Sequence, residues 1–308
     1  MTDFVTLADL TAPALTGLVD ASAAWKRARP HGPAPWLAGK TVAIVMEKAS
    51  TRTRLSFEVA VRELGGHASL LTSDGSQLAR GEPIEDTARV LSRYAHAIVF
   101  RTFGAERLMR MVGAAAVPVV NALTDREHPC QIVADLLTIR EHRGQLDGVK
   151  VAWIGDGNNM AVSWLHAAGA LGLSLALACP IGYRPPPHDV EVARAAGATV
   201  TLTDDPAAAA AGADVVMTDV WASMGQEAEQ AQRARAFAGY CVDEALLARA
   251  APDALVLHCL PAHRGEEISA AVMDGPRGRA IWDQAENRLH TAKAILELAV
   301  TGAARGPG

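Results

Sequence analysis

The sequence predicts an α/β protein of two doubly wound domains, each built on a central parallel sheet. Three observations carry this. Short apolar runs alternate with helix-length segments along most of the chain, the pattern of βαβ units with helices on both faces of a parallel sheet. Nine such runs suit two sheets better than one. A chain of 308 residues, half of them hydrophobic, is long enough for one large or two medium domains with full cores.

In order, the strand candidates are 41–46, 67–72, 97–101, 117–121, 150–154, 173–179, 198–202, 213–218 and 254–258. Helix candidates between them are 51–64, 84–94, 105–114, 131–143, 159–169, 188–196 and 241–250, with a short Ala-rich helix at 207–213. Within 51–64, Leu55 with Val59, and Phe57 with Ala60 and Leu64, supply two apolar stripes. The polar stretch 141–150, containing Gly144 and Gly148, is the candidate hinge. No internal repeat is found, and the Gly/Pro-rich tail 301–308 is expected to fray.

Composition excludes several classes of function. A net charge of -5 argues against a nucleic-acid or membrane-surface role and leaves any anion site to local arginines. The first residues lack a basic segment followed by an apolar one, so no signal peptide is expected. The longest apolar stretch, 167–180, is too short to span a bilayer and contains Gly169, Gly172 and Ser174. Four cysteines (Cys130, Cys179, Cys241, Cys259) lack CxxC spacing. A disulfide framework, a zinc site or any other metal site is not expected, no cofactor is expected, and a reducing cytoplasm fits.

The stretch Ser50-Thr51-Arg52-Thr53-Arg54 lies between the first strand and the first helix candidate. Ser50 is placed as an N-cap whose hydroxyl accepts from the amide of Thr53. Free amides, hydroxyls and the Arg52 guanidinium then converge at one helix N-terminus, which suits a phosphate. Arg54, two positions on, faces elsewhere. By itself the pentapeptide fits a capped surface helix as well as an anion site.

Further polar clusters follow other strands at their carboxyl ends, where open α/β sheets bind ligands. The loop 75–81 carries Gln77, in a stretch that also reads as a plain connector. Arg101 ends an apolar strand, either as a site residue or as a solvated charge. His128-Pro129-Cys130-Gln131 opens a helix, with Pro129 suited to its first turn and His128 and Gln131 able to face one pocket. Asp219-Val220-Trp221-Ala222-Ser223-Met224-Gly225 ends a strand with a carboxylate suited to an ammonium group. His258-Cys259-Leu260-Pro261 follows the last strand, and Leu260-Pro261 is a candidate cis bond. Beside an arginine-rich anion site Cys259 would have a depressed pKa, although a buried strand-end cysteine fits equally.

Gly155-Asp156-Gly157-Asn158-Asn159-Met160 follows a strand and calls for comparison with the dinucleotide fingerprint. Met160 stands where the third glycine belongs, and Cys179 and Pro180 stand where an acidic ribose ligand belongs, about 20 residues on. The asparagines suit a small polar ligand better.

Taken together, Ser50–Arg54 with Phe57-Glu58, and His128–Gln131, resemble the carbamoyl phosphate motifs of the aspartate/ornithine carbamoyltransferase family. Asp219–Gly225, His258–Pro261 and Glu286-Asn287-Arg288-Leu289-His290 resemble its ornithine branch. The likeness runs from about Phe4 to about Val300, with five motifs in the family's order; Glu47-Lys48-Ala49 before the first is one variant among several.

The resemblance implies a carbamoyl phosphate-binding domain over 1–140, with a C-terminal helix at 285–300 packing back on it, and an ornithine-binding domain over 141–284. It implies a homotrimer with shared active sites in which Gln77 acts in a neighbour's site. It implies carbamoyl phosphate and L-ornithine as partners, with L-citrulline and phosphate as products. Ser50, Thr51, Arg52 and Thr53 would hold the phosphate. Thr53, Arg101 and His128 would donate to the carbonyl oxygen. Gln131 and the backbone of Cys259 and Leu260 would bind the carbamoyl NH2, and Arg288 would contact the donor or brace the closed site. Asn159, Asp219, Ser223 and Met224 would bind ornithine, with Asp219 and Cys259 accepting or relaying its proton. A carbamoyltransferase for another amine, such as putrescine or N-acetylornithine, and a non-catalytic binding protein of the same fold stay open at this point.

Overall fold

The computed structural model describes residues 1–29, 35–73, 76–222 and 227–307. The described chain forms two compact units, Met1–Leu137 with Glu286–Gly308, and Thr138–Ala285. The first contains α1 (Ala12–Ala28), β1 (Thr41–Met46), α2 (Thr51–Glu63), β2 (His67–Thr72), α3 (Ile84–Tyr94), β3 (Ala97–Arg101), α4 (Ala105–Ala114) and β4 (Val119–Leu123). Helix α5 (Pro129–Arg143) carries the chain into the second unit. There follow β5 (Lys150–Ile154), α6 (Asn159–Leu171), β6 (Ser174–Ala178), α7 (Pro187–Ala195), β7 (Thr199–Thr203), α8 (Pro206–Ala210), β8 (Val215–Thr218), α9 (Gln230–Ala236), α10 (Glu244–Leu247), β9 (Leu255–His258) and α11 (Ala270–Asp274). Helix α12 (Arg279–Thr301) starts in the second unit and ends in the first. The polar stretch 141–150, expected as the hinge, lies within the second unit.

Both sheets are parallel, in the order β2-β1-β3-β4 and β7-β6-β5-β8-β9. Central strands are mostly apolar because helices cover both faces: β3 and β8 are buried at every position, including the polar residues Arg101 and Thr218 that end them. No position of the edge strand β2 is buried. In each unit the chain order reverses beside the first strand, at β1/β3 and at β5/β8, the switch points where such sheets open a crevice at their carboxyl ends. Register then decides which loops are neighbours. Met46 lies beside Arg101, so the chain after β1 departs next to that arginine. Ile154 lies beside Thr218, and Thr218 beside His258, so the three chains leaving β5, β8 and β9 start side by side.

The end of α12 packs on the first unit through polar anchors. Glu297 accepts from the Trp25 indole at 3.0 Å, Lys26 donates to Asn287 at 2.8 Å, and Lys293 pairs with Glu63. Here the tail departs from expectation: the amides of Arg305 and Gly306 donate to Glu297 at 3.1 and 3.0 Å, and Gly306 is buried. A Cβ on Gly306 would lie 2.7 Å from that of Ala24, so glycine admits the close approach.

Other differences have local causes. β4 starts after Pro118, which has no N–H to give the ladder, and ends at Leu123, whose carbonyl accepts from Thr102 at 3.0 Å. The helix expected over 241–250 shrinks to Glu244–Leu247, capped by Asp243. Val242 instead exchanges backbone hydrogen bonds with 267–269. Helix α1, opened by the Thr11 cap, was not foreseen, nor were α9 and α11. On α2, Phe57 and Ala60 are buried, as is Leu64 at its C-cap, but Leu55 is 52% exposed. Two residues apart on a helix lie on opposite sides, so Leu55 and Phe57 cannot both face the sheet.

Candidate active site

In the first unit the Ser50 hydroxyl caps α2 as expected, accepting from the Thr53 amide at 3.2 Å. Thr51 is exposed and Arg52 half-buried. Arg54 points away and pairs with Glu58 one turn on. Thr53 is fully buried, and its Oγ1 accepts from Arg101 Nη1 at 3.3 Å, Arg288 Nη2 at 3.4 Å and the Ser50 hydroxyl at 3.2 Å. Arg288 also donates through Nη1 to Gln131 Oε1 at 2.5 Å, and Gln131 Nε2 donates to Asp135 Oδ1 at 2.8 Å. One chain of hydrogen bonds therefore joins the end of β3, the start of α2, the first turn of α5 and α12. Arg101 is buried, so it is not a solvated strand-end charge.

His128 is buried, and its pKa is pushed well below the usual imidazole range by that burial and then by the positive charges of Arg288, Arg101 and Arg52. Burial and the surrounding positive charge both favour its neutral form. Its neighbour Cys130 does not share this site: the thiol donates to the Asn121 carbonyl at 3.2 Å, and burial pushes it up to about 12. Gln77 opens a single 3-10 turn, Gln77–Arg80, and is exposed.

In the second unit Asp219 follows β8 and is buried. Its Oδ2 accepts from Asn158 Nδ2 at 3.0 Å, and its Oδ1 accepts from the Cys259 thiol at 3.1 Å and the Val220 amide at 2.9 Å. Asn158 also caps α6, its Oδ1 accepting from the amides of Met160 and Ala161 at 2.9 and 3.3 Å. Asn158 is thus the residue that sequence reasoning passed over in favour of Asn159, which opens α6 and is half-buried. An asparagine directly before an apolar helix was the available signal. Ser223 and Met224 lie outside the described residues.

The ends of this loop system are tied to a buried arginine. Arg233 donates through Nη1 to Asp156 at 2.7 Å and to the Trp221 carbonyl at 2.9 Å, and through Nε to Glu229 at 2.9 Å. Its guanidinium lies 5.0 Å from the centre of the Tyr183 ring. Burial still pushes the Asp156 carboxyl up, against the pull of Arg233. Gly157 owes its identity to this packing: a Cβ there would lie 2.1 Å from the Pro185 nitrogen.

His258, the last residue of β9, is wholly enclosed. Its Nδ1 accepts from the Leu260 amide at 2.8 Å, which leaves Nε2 to donate to Glu267 at 3.0 Å. This brace holds Leu260 at a φ of 61° beside a cis Leu260-Pro261 bond. Asp219, His258 and Cys259 offer ligand atoms within 4.8 Å of one another, but both His258 nitrogens are already engaged. Among the described residues no helix is long and apolar enough to cross a membrane.

Comparison with known proteins matches both units. The carbamoyl-P binding domain of aspartate/ornithine carbamoyltransferase matches residues 2–141, and the Asp/Orn binding domain of the same family matches residues 147–299. A protein of Acidothermus cellulolyticus named ornithine carbamoyltransferase is 57% identical over 299 residues, covering 96% of this chain and 95% of its own. One of the same name from Geobacter sulfurreducens is 53% identical, covering 95% of this chain and 97% of its own. The structure of ornithine carbamoyltransferase from Pyrococcus furiosus superposes with a TM-score of 0.92 at 45% identity, covering 98% of this chain and 97% of its own.

Proposed function

Because the chain belongs to the aspartate/ornithine carbamoyltransferase family, we infer that it is a carbamoyltransferase carrying the carbamoyl group of carbamoyl phosphate to the side-chain amine of L-ornithine, with L-citrulline and phosphate as products. The observation that carries the reading is the run of hydrogen bonds from Arg101 through Thr53 and Arg288 to Gln131. Two guanidinium groups and an amide meet there at a capped helix N-terminus, a set that suits a phosphate bearing a carbamoyl group.

In this reading residues 1–140 with 285–300 bind the donor, and 141–284 bind the acceptor. Ser50, Thr51, Arg52 and Thr53 hold the phosphate and offset charge as it leaves. Thr53, Arg101 and the neutral His128 donate to the carbonyl oxygen as it turns anionic. Gln131 and the backbone of Cys259 and Leu260 take the carbamoyl NH2, and Arg288 contacts the donor. Asp219, Asn159, Ser223 and Met224 hold ornithine.

The nucleophile is a neutral amine, although a free alkylammonium has a pKa of about 10.4, so baring it at neutral pH costs on the order of 4 kcal/mol. Asp219 takes the proton and Cys259 positions the amine and relays. The Asn158 and Cys259 hydrogen bonds that hold the carboxylate support this role. No covalent intermediate is needed, because the amine attacks the carbamoyl carbon directly and phosphate departs.

The protein acts as a cytoplasmic homotrimer in arginine metabolism, each subunit lending Gln77 to a neighbour's site. The exposure of Gln77 supports this. Mixing Gln77→Ala and Arg52→Ala subunits is expected to restore activity that neither variant has alone, and no restoration removes the shared site.

The function is tested by citrulline formation from carbamoyl phosphate with L-ornithine, run beside putrescine, N-acetylornithine and aspartate at mildly alkaline pH. Turnover with ornithine alone is expected. Turnover with another amine instead overturns the acceptor, and no turnover with any overturns the enzyme.

A further inference from the structure

We propose that Asp135 is a positioning residue that, with Arg288, sets which end of the Gln131 amide faces the donor, and so lets the site tell a carbamoyl group from an acetyl group. This rests on the donor reading above.

The two ends of a glutamine amide are nearly the same shape, so a pocket needs polar neighbours to choose between them. Gln131 has a charged neighbour of opposite kind on each side. Arg288 Nη1 donates to its Oε1 at 2.5 Å, and its Nε2 donates to Asp135 Oδ1 at 2.8 Å. A guanidinium only donates and a carboxylate only accepts. Turning the amide over would set NH2 against guanidinium and oxygen against carboxylate, losing both hydrogen bonds and adding two repulsions. Gln131 and Asp135 are one turn apart on α5 and share a face. Asp135 is 0% exposed, Gln131 1% and Arg288 4%, which leaves bulk water little part in the choice.

The consequence is chemical. An amide oxygen accepts two hydrogen bonds, and Arg288 takes one. The other suits an N–H, which the carbamoyl NH2 supplies and the methyl of acetyl phosphate does not. A turned amide would present N–H to N–H and lose that discrimination. A site built to pair a donor rejects the isostere that lacks it, because its own acceptor is left bare. Arg288 does double service, since its other nitrogen donates to Thr53. Asp135 serves the amide from the far side of the chain of hydrogen bonds.

The test is calorimetric titration of the whole protein with carbamoyl phosphate, acetyl phosphate and inorganic phosphate. Asp135→Asn is nearly isosteric, but its own amide turns either way and no longer dictates Gln131. Asp135→Ala, which offers no side-chain acceptor, is the second variant. Each is expected to shrink the ratio of acetyl phosphate Kd to carbamoyl phosphate Kd about tenfold while the phosphate Kd stays within about twofold. An unchanged ratio overturns the inference. So does an equal weakening of all three ligands, which is what general loosening of α5 produces. A wild-type protein that does not prefer carbamoyl phosphate sinks the donor reading and this inference together. A wild-type preference that survives both substitutions sinks the inference alone.

Discussion

The thiol of Cys259 donates to Oδ1 of Asp219 across 3.1 Å, joining the chain that leaves β9 to the chain that leaves β8. Strand register makes the pair possible, because Thr218 and His258, the residues just before them, are partners in the sheet. The carboxylate is thereby aimed by three donors: the thiol, the Asn158 amide and the Val220 backbone.

Replacing that carboxylate separates acceptor chemistry from donor binding. Asp219→Asn is expected to lower kcat/KM for ornithine by about a hundredfold or more, the outcome that the proposed role of Asp219 as proton acceptor requires. Cys259→Ser keeps a donor to Asp219, so its loss is expected to stay within about tenfold, with a shifted pH profile. Steady-state kinetics over pH checks both. Full turnover of Cys259→Ser with an unmoved profile would end its role.

The lowered pKa of His128 has a stability consequence. An unfolded histidine takes up a proton near pH ~6.5, whereas the buried one resists. Between those values the unfolded state binds more protons, so stability rises with pH. This contribution is full above the unfolded value and declines as pH falls below it. The drop in melting temperature from about pH 7.5 to about pH 5.5 is therefore expected to be smaller in His128→Gln than in the wild type. An equal drop would mean that His128 charges freely in the folded state.

Gly157→Ala tests why a glycine stands there. Its Cβ would meet the Pro185 nitrogen at 2.1 Å and the Arg184 carbonyl carbon at 2.5 Å, both backbone atoms. Destabilisation by about 2 kcal/mol or more is expected, read by chemical denaturation. A neutral substitution would show that the 184–185 loop gives way freely.

Arg233 ties together the loops that carry Asn158 and Asp219, through Asp156 and the Trp221 carbonyl. Arg233→Met leaves the Asp156 carboxylate buried without its guanidinium, at about 3 kcal/mol. Pairing it with Asp156→Leu is expected to recover much of that stability but not the affinity for ornithine. If the double variant regains a normal KM for ornithine, Arg233 has no positioning role in the acceptor loops.

Much of this was legible beforehand where the cause is local. The Ser50 cap follows from a hydroxyl three residues ahead of an amide, and the limits of β1, β2, β3 and β5 follow from where apolar runs stop. Reading failed where a distant partner intervened. Leu55 looked apolar enough to be buried, but the sheet covers only the face of α2 that holds Phe57. The tail looked free, but Glu297 collects its amides. Asn158 was overlooked because its bond to Asp219 spans 61 positions.

The sequence by itself determined the alternation of strands and helices, the capped N-terminus after β1 and the residue types gathered behind each strand. Periodicity, capping and turn chemistry act over a few residues and can be read from neighbours. Only the tertiary structure decided that the Thr53 hydroxyl takes Arg288, 235 positions away, and that Asp219 is aimed by Asn158 and Cys259. Hydrogen bonds of that reach depend on which strands lie side by side and in what register, and no local pattern carries that information.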